Sequence, residues 1–350
     1  MKSILITGGA GFIGSHTCLL LLEKGYVIFV IDSFINSSDK SIQRISDILK
    51  KQGINTEGRI YLIKGDLKKK CDIEKVFEMS LKLKKNIKSV IHFAGLKSVS
   101  DSVKTPLKYW ENNLNGTINL LKVMEKYNCK NIVFSSSATV YRAQANKLLG
   151  ENDICEAVNP YGNNKLTIEG ILKDIYKSEP SQWRIASLRY FNPVGAHESG
   201  LIGENPLGIP NNLYPLITQV AIGKIKEIKI FGSDWQTADG TGVRDYIHVL
   251  DLAEGHLLTL DYILSDNPQI LTLNLGTGIG TSVLELINNF KKVNKVEVPF
   301  SFGERRKGDN AFVVADNSLA KSILNWRPKR NIIDMCRDGW NWQLKNPNGY

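Results

Sequence analysis

No stretch of this chain is long and apolar enough to cross a membrane as a helix, which takes about 20 predominantly apolar residues. The longest apolar runs are strand-length, such as Tyr26–Ile31. The amino terminus, MKSILITGGAGFIG, passes from one lysine straight into a short apolar run and a glycine loop. It lacks the long apolar region and small-residue cleavage site of a secretory signal, so a cytoplasmic location is expected. Cysteine is sparse: Cys18, Cys71, Cys129, Cys155 and Cys336 are odd in number, widely spaced and contain no CxxC pair. That pattern argues against a disulfide framework and a zinc site. The five histidines include no HExxH pair, so no metal is expected. The net charge is +10, but the lysines around 68–70 and 82–88 have no interleaved aromatics and read as a solvated face. No nucleic-acid partner is expected. With 42% hydrophobic and 23% charged residues, the chain is not disordered, and at this length it can bury a large core without staples.

What is present is an alternation. Strand-type runs at Ser3–Thr7, Val27–Asp32, Ile60–Lys64, Ser89–Phe93, Asn131–Ser135 and Arg184–Tyr190 are apolar on both faces. Helical patterns separate several of them, at Phe12–Lys24, Ile73–Leu83, Pro106–Tyr127 and Tyr161–Tyr176. This is the signature of βαβ units and a doubly covered parallel sheet. Past Phe191 the pattern changes. Residues 192–215 are rich in Gly, Pro and Asn, then helices are expected at Leu216–Gly223, Asp251–Leu264 and Ser282–Phe290, and strands at Ile228–Phe231 and Leu271–Leu275. The expected architecture is a Rossmann-type α/β domain over 1–190 and a smaller α/β portion over 191–350, with part of 232–265 returning to the first.

Gly8, Gly9, Gly11 and Gly14 satisfy G-x-x-G-x-x-G and G-x-G-x-x-G between a strand and a helix. There the backbone can approach a pyrophosphate and the helix N-terminus can face it. Asp32 ends the next strand, 18 residues beyond Gly14. Its carboxylate suits ribose hydroxyls and repels a 2′-phosphate, which favours NAD over NADP. Tyr161 and Lys165 lie four apart in a helical run and share a face. An ammonium beside a phenol favours phenolate, making Tyr161 a candidate acid/base. Ser137, in the run Ser135–Ser137 after a strand, can hydrogen-bond a substrate hydroxyl and the phenol.

These segments resemble the extended short-chain dehydrogenase/reductases, and within them the UDP-glucose (UDP-galactose) 4-epimerases. HFAGLKSV at 92–99, ENNLNGT at 111–117, FSSSATVY at 134–141 and NPYGNNKL at 159–166 carry the resemblance. So do LRYFNPVGAH at 188–197, GIPNNL at 208–213, GTGVRDYIHVLDLAEGH at 240–256 and ERRKGD at 304–309. The resemblance implies tightly bound NAD, a UDP-sugar substrate and a homodimer. It implies Phe12 and Ile13 at the pyrophosphate, Asp32 with Ser33, Asn36 and Ser37 at the adenosine ribose, and Asp66 and Leu67 at the adenine. Phe93, Ala94, Gly95 and Lys97, with Asn112 nearby, would line the ribose and diphosphate region, and Phe191 the nicotinamide. Lys97, Ser137, Tyr161, Asn192, Asn211, Asn212, Leu213, Arg244, Arg306, Asp309 and Val313 would meet the sugar nucleotide. Guanidinium groups pair bidentately with phosphate, which suits Arg244 and Arg306; a salt bridge of Arg244 to Asp245 or Asp251 is the plainer alternative.

The implied reaction is NAD-dependent C4 epimerisation of UDP-glucose and UDP-galactose through a 4-keto intermediate. A 4,6-dehydratase of the same fold is the alternative enzyme, but it needs carboxylates where this chain has Ser137-Ala138-Thr139. A non-catalytic nucleotide-binding protein would be expected to have lost the Tyr/Lys pair. Four positions depart from the family. Arg142 replaces a glycine and is expected to alter a loop near the sugar. Asn163 and Asn164 are expected to face solvent. Val313 stands where some members carry tyrosine, and the space it frees is expected to admit N-acetylated hexoses.

Overall fold

The computed structural model describes residues 2–142, 147–208, 210, 212–265, 267–306 and 309–350. Its strands are β1 (Ser3–Thr7), β2 (Val27–Asp32), β3 (Ile60–Lys64), β4 (Ile87–His92), β5 (Asn131–Ser135), β6 (Arg184–Tyr190) and β7 (Asn192–Val194). There follow β8 (Ile228–Phe231), β9 (Val243–His248), β10 (Gln269–Leu275), β11 (Gly280–Ser282), β12 (Phe300–Gly303) and β13 (Phe312–Val313). The α-helices are α1 (Phe12–Glu23), α2 (Lys40–Lys51), α3 (Lys70–Lys82), α4 (Val99–Lys104), α5 (Pro106–Tyr109) and α6 (Gly116–Lys126). The rest are α7 (Pro160–Ser178), α8 (Leu213–Ala221), α9 (Val249–Ser265), α10 (Val283–Asn294), α11 (Ser318–Leu324) and α12 (Ile332–Lys345).

Seven strands form one parallel sheet in the order β10-β6-β5-β4-β1-β2-β3. Successive side chains of a strand point to opposite faces, and here both faces are dry. Ile4 and Ile6 of β1 join Leu19 and Leu22 of α1, Ile45 of α2 and Leu260 of α9. Leu5, between them, joins Val76 of α3, Leu120 of α6 and Leu172 of α7. Continuous apolar strands are thus the sequence form of a sheet covered twice. The strand order reverses between β1 and β4, and in such sheets ligands bind beyond the carboxyl ends at that switch point. Thr7 and His92 face each other there.

A second body packs its own core from Tyr214, Ile217, Tyr246, Leu286, Phe290 and Trp340. In it β9 pairs with β7 and β13 in parallel and with β11 antiparallel, while β8 pairs with β12. The chain returns to the large sheet late: α9 packs on α1, and β10 supplies an edge strand beside β6.

The helix expected over Pro106–Tyr127 is not one regular helix. α5 gives way to a π-helical turn at Trp110–Asn115 before α6 resumes. Such turns are frequent at functional sites, and this one aims Asn113 inward, as described below.

Arg189 of β6 and Glu169 of α7 form a bidentate pair, with Nε on Oε1 at 3.0 Å and Nη2 on Oε2 at 2.6 Å. Both side chains are buried, and Ser136 Oγ donates to Glu169 Oε1 at 2.5 Å. Arg189 Nη1 donates to Tyr141 Oη and to Glu151 O, while Tyr141 donates to Asn274 of β10. Removing one member of a buried pair strands the other charge. Arg189→Met is therefore expected to cost about 3–5 kcal/mol in chemical denaturation, whereas Arg189→Met with Glu169→Met together recovers most of that loss.

Candidate active site

At the end of β1 the chain turns sharply: Gly8 has φ +68°, and a Cβ on it would lie 2.7 Å from Ala94 N. A Cβ on Gly14 would meet Gly9 Cα at the same distance. Glycine is required at both places, because the turn, the β4 loop and α1 close on each other with no room for a methyl group. α1 begins with no side-chain cap and no acid in its first turn. Its N-terminal N–H groups and positive dipole end can meet an anion.

Asp32 sits at the end of β2, buried, with its carboxylate already engaged. Oδ2 accepts from Ala10 N at 3.0 Å, and Oδ1 from Phe34 N at 2.9 Å and Ser37 Oγ at 2.7 Å. Besides its expected place beside a ribose, it fastens the glycine loop to the β2 turn. Ser33 and Asn36 lie exposed beyond it, and Asn36 Oδ1 accepts from Leu207 N. Asp66 Oδ1 accepts from Lys68 N just past β3, and Leu67 is buried against Gly116 of α6.

A polar chain ties β1, β4 and α6. Thr117 Oγ1 donates to Asn113 O and so accepts from His92 Nε2 at 2.9 Å, leaving Nδ1 to accept from Thr7 Oγ1 at 2.7 Å. Burial pushes the His92 pKa down to about 3, which agrees with this neutral, singly protonated ring. Asn113 Oδ1 accepts from Leu96 N, and its Nδ2 donates to Leu96 O and to Asn164 Oδ1. Asn113, brought inward by the π-turn, therefore clasps the Phe93–Lys97 loop. Asn112, the residue expected there, instead donates to Lys108 O one turn back.

Tyr161 and Lys165 lie on the buried face of α7. Lys165 Nζ donates to Ser135 O at 2.7 Å and stands 5.8 Å from the Tyr161 ring centre. The Tyr161 phenol lies close enough to Ser137 and Tyr190 for both to act on its ionisation, and Tyr190 in turn feels Ser135. Burial raises the Tyr161 pKa well above its ordinary value, Tyr190 adds to this and Ser137 opposes it. Ser137 caps a short turn by accepting from Thr139 N and Oγ1. Tyr190 was not among the expected residues, and its only signal was its place at the carboxyl end of a strand. Asn164 corrects an expectation: it is fully buried, while Asn163 is exposed. Arg142 also differs, since its side chain lies at the surface against Glu156. Residues 143–146, beside it, lie outside the described residues.

The second body contributes the other wall. Arg244 on β9 is part-buried, with Nη1 donating to Val243 O and Asn310 O at 2.9 Å. It bonds neither Asp245, which accepts from Thr277, Gly278 and Ala315, nor Asp251, which takes Arg330. Burial lowers its pKa, with Arg306 working the same way and Tyr246 and Asp309 opposing. Arg306 pairs with Asp309 at 2.9 Å and lies over the ring of Phe231, a partly exposed residue that the sequence reading had not singled out. A groove of about 870 Å³ runs past Phe231, Phe302, Arg305 and Arg306. Val313 pairs with Arg244 in register and packs with Phe191. Asn192 opens β7, and Asn212 stands just before Leu213 at the start of α8, where its amide caps nothing. Lys97 Nζ and Asn212 Nδ2 both reach Glu204 Oε1. Asn211 lies outside the described residues.

A family model described as GDP-mannose 4,6 dehydratase matches residues 5–339. The chain is 49% identical over 348 residues to the UDP-glucose 4-epimerase of Bacillus subtilis, covering 99% of this chain and 98% of that one. Among solved structures, UDP-glucose 4-epimerase from Bifidobacterium longum in complex with NAD+ and UDP superposes with a TM-score of 0.91 at 46% identity, over 100% of both chains. UDP-glucose-4-epimerase from Stenotrophomonas maltophila, with bound NAD and formylated UDP-arabinopyranose, gives 0.92 at 43% identity over 99% of both.

Burial lowers the Lys165 pKa to about 8 from an ordinary 10.5. The unfolded chain keeps that proton to higher pH, so Lys165 costs stability below about pH 8, and the cost lifts as pH rises from 8 towards 10.5. At about 1.4 kcal/mol per unit, Lys165→Met is expected to hold or raise stability at pH 7, by up to about 3 kcal/mol, in urea unfolding.

Proposed function

The chain belongs to the UDP-glucose 4-epimerases, and we propose that its residues divide the reaction between two bodies. Residues 1–190 hold NAD and 191–350 mainly hold the UDP-sugar, with part of 232–265 returning to the first. The protein is an NAD-dependent isomerase that interconverts UDP-glucose and UDP-galactose at C4. The observation that carries the catalytic assignment is the buried Tyr161 beside the buried Ser137, with Lys165 one helical turn on and its Nζ 5.8 Å from the centre of the phenol ring.

The residues present fit the cofactor. Gly8 and Gly14 let the loop between β1 and α1 fold tightly on itself and on the β4 loop, the α1 N-terminus has no side-chain cap or first-turn acid to compete with a pyrophosphate, and the Asp32 carboxylate at the end of β2 suits the adenosine ribose. The chemistry NAD supplies when bound is acceptance of hydride from C4 and its return to the opposite face. Tyr161 Oη takes the proton from the sugar 4-hydroxyl and gives it back. The base is the phenolate: burial alone favours the protonated phenol, and the Lys165 ammonium, charged at neutral pH, together with the positive nicotinamide ring that bound NAD would bring, favours the ionised form. Ser137 orients the 4-hydroxyl. Arg244 and Arg306 clamp the diphosphate, Asp309 takes the uridine ribose, and the Phe231 face suits a stacked base. The diphosphate stays anchored while the 4-keto sugar turns over.

Val99, Val103 and Leu107 lie exposed along α4 and α5, an uncovered apolar stripe that supports a homodimer. Five free thiols support a cytoplasmic location, and among the described residues no helix is long and apolar enough to span a membrane.

Incubation with UDP-galactose should yield UDP-glucose; a 4-keto-6-deoxy product would instead indicate a dehydratase. Tyr161→Phe is expected to lower turnover about 10²- to 10⁴-fold with bound NAD unchanged, and near-normal turnover would assign the base elsewhere. Val313 leaves room for a 2-acetamido group, so UDP-N-acetylglucosamine and UDP-N-acetylgalactosamine are substrates too in this reading. Overpacking costs about 1–3 kcal/mol, so Val313→Tyr should depress turnover of the N-acetylated pair about 5- to 150-fold and spare UDP-galactose. A parallel fall for both pairs would remove Val313 from the pocket wall.

A further inference from the structure

Glu204 lies in the loop between β7 and α8, with its side chain 9% exposed. Its Oε1 accepts from Lys97 Nζ at 2.8 Å and from Asn212 Nδ2 at 3.4 Å. Lys97 comes from the loop after β4, and Asn212 from the second body. One carboxylate thus bridges the two bodies through two residues already placed on the substrate. Its own backbone is held from behind: Trp342 Nε1 donates to Glu204 O at 3.0 Å, and Tyr350 Oη accepts from Gly203 N at 3.2 Å. The Trp342 and Tyr350 rings lie 4.8 Å apart. The carboxyl-terminal residues therefore set the position of Glu204. Burial works against the charge on Lys97, but Glu204 outweighs it and keeps the ammonium pKa above its ordinary value. The Lys97 ammonium is therefore charged at neutral pH.

An unpaired ammonium in this cleft would be drawn to the most concentrated negative charge available, the diphosphate. Paired with Glu204, its charge is largely cancelled, yet it keeps N–H protons to donate, since an ammonium carries three. Asn212 is likewise fixed as a donor. We infer that Glu204 is a positioning residue for the sugar half of the substrate: it holds Lys97 and Asn212 so that both donate to hexose hydroxyls and neither is captured by the diphosphate. The inference rests on the epimerase reading above.

Glu204→Gln keeps size and a contact for Asn212 but removes the charge that holds Lys97. It is expected to raise KM for UDP-galactose about tenfold with kcat within about threefold, as the loss of a charged hydrogen bond on one half of the ligand would. The Kd for UDP, which has no hexose, should stay within about twofold or tighten, and the unfolding midpoint should not move. Lys97→Gln should raise KM similarly, and the double variant should be no worse than the worse single, because both changes break one unit. Glu204→Asp, which keeps the charge at shorter reach, should give an intermediate KM and serves if Glu204→Gln does not fold. Equal losses for UDP and UDP-galactose, additive effects in the double variant, or a wild-type KM in Glu204→Gln would each overturn the assignment. A wild type that makes no UDP-glucose would overturn the epimerase reading with it; an active wild type with an unaffected variant overturns the Glu204 assignment alone.

Discussion

Two charges held where water does not reach, Arg189 on β6 and Glu169 on α7, fix the helix that carries the reactive side chains to the sheet that carries everything else. Tyr161, Lys165 and Glu169 lie on one buried face of α7, so the docking of Glu169 also sets the height of the phenol over the ends of β5 and β6. Ser136 on the same carboxylate stands next to Ser137. Glu169 also offsets part of the burial penalty on Lys165. A neutral replacement could pack as tightly, but it would not give Lys165 a nearby negative charge. The hydrogen bonds onward to Tyr141, Glu151 and Asn274 carry the same clamp to β10.

Much of this was legible in the sequence because the physics is local. Strands that are apolar throughout announce a sheet covered on both sides. The glycine loop, Asp32 and the Tyr161/Lys165 pair are short-range patterns whose meaning depends on a strand ending or a helix turning nearby. Helix α2 had the same kind of signal in Ile42, Ile45 and Leu49, spaced for one face. Asn164 was legible too: it falls three residues after Tyr161 and one before Lys165, so a helix that buries those two buries it as well. Its amide looked like a surface group only when its type was weighed above its period.

What was not legible depends on partners far away in sequence. Glu204 meets Lys97 across 107 residues, Tyr190 on β6 comes up to Tyr161 on α7, and Arg306, just past β12, finds Phe231 on the paired strand β8. The π-turn at Trp110–Asn115 escaped for another reason. An extra residue inside a helix leaves the apolar pattern on either side intact and shows only as a shift in which amide points inward. Asn113 rather than Asn112 therefore reaches the β4 loop. Arg142 places its long charged side chain at the surface against Glu156, as such side chains do on exposed turns.

The late return of the chain to the large sheet bears on how the protein is made. A ribosome that has delivered residues 1–190 has delivered β1 to β6 but neither β10 nor α9. The β6 edge then offers unpaired backbone, and Leu19 and Leu22 of α1 lack the helix that covers them. The nascent sheet must wait, through the synthesis of β7 to β9 and the loops around them, for the pieces that close it. Exposed edges are templates for pairing with other chains, so transcripts cut short before residue 269 would yield a protein that sticks to its neighbours rather than a smaller working domain.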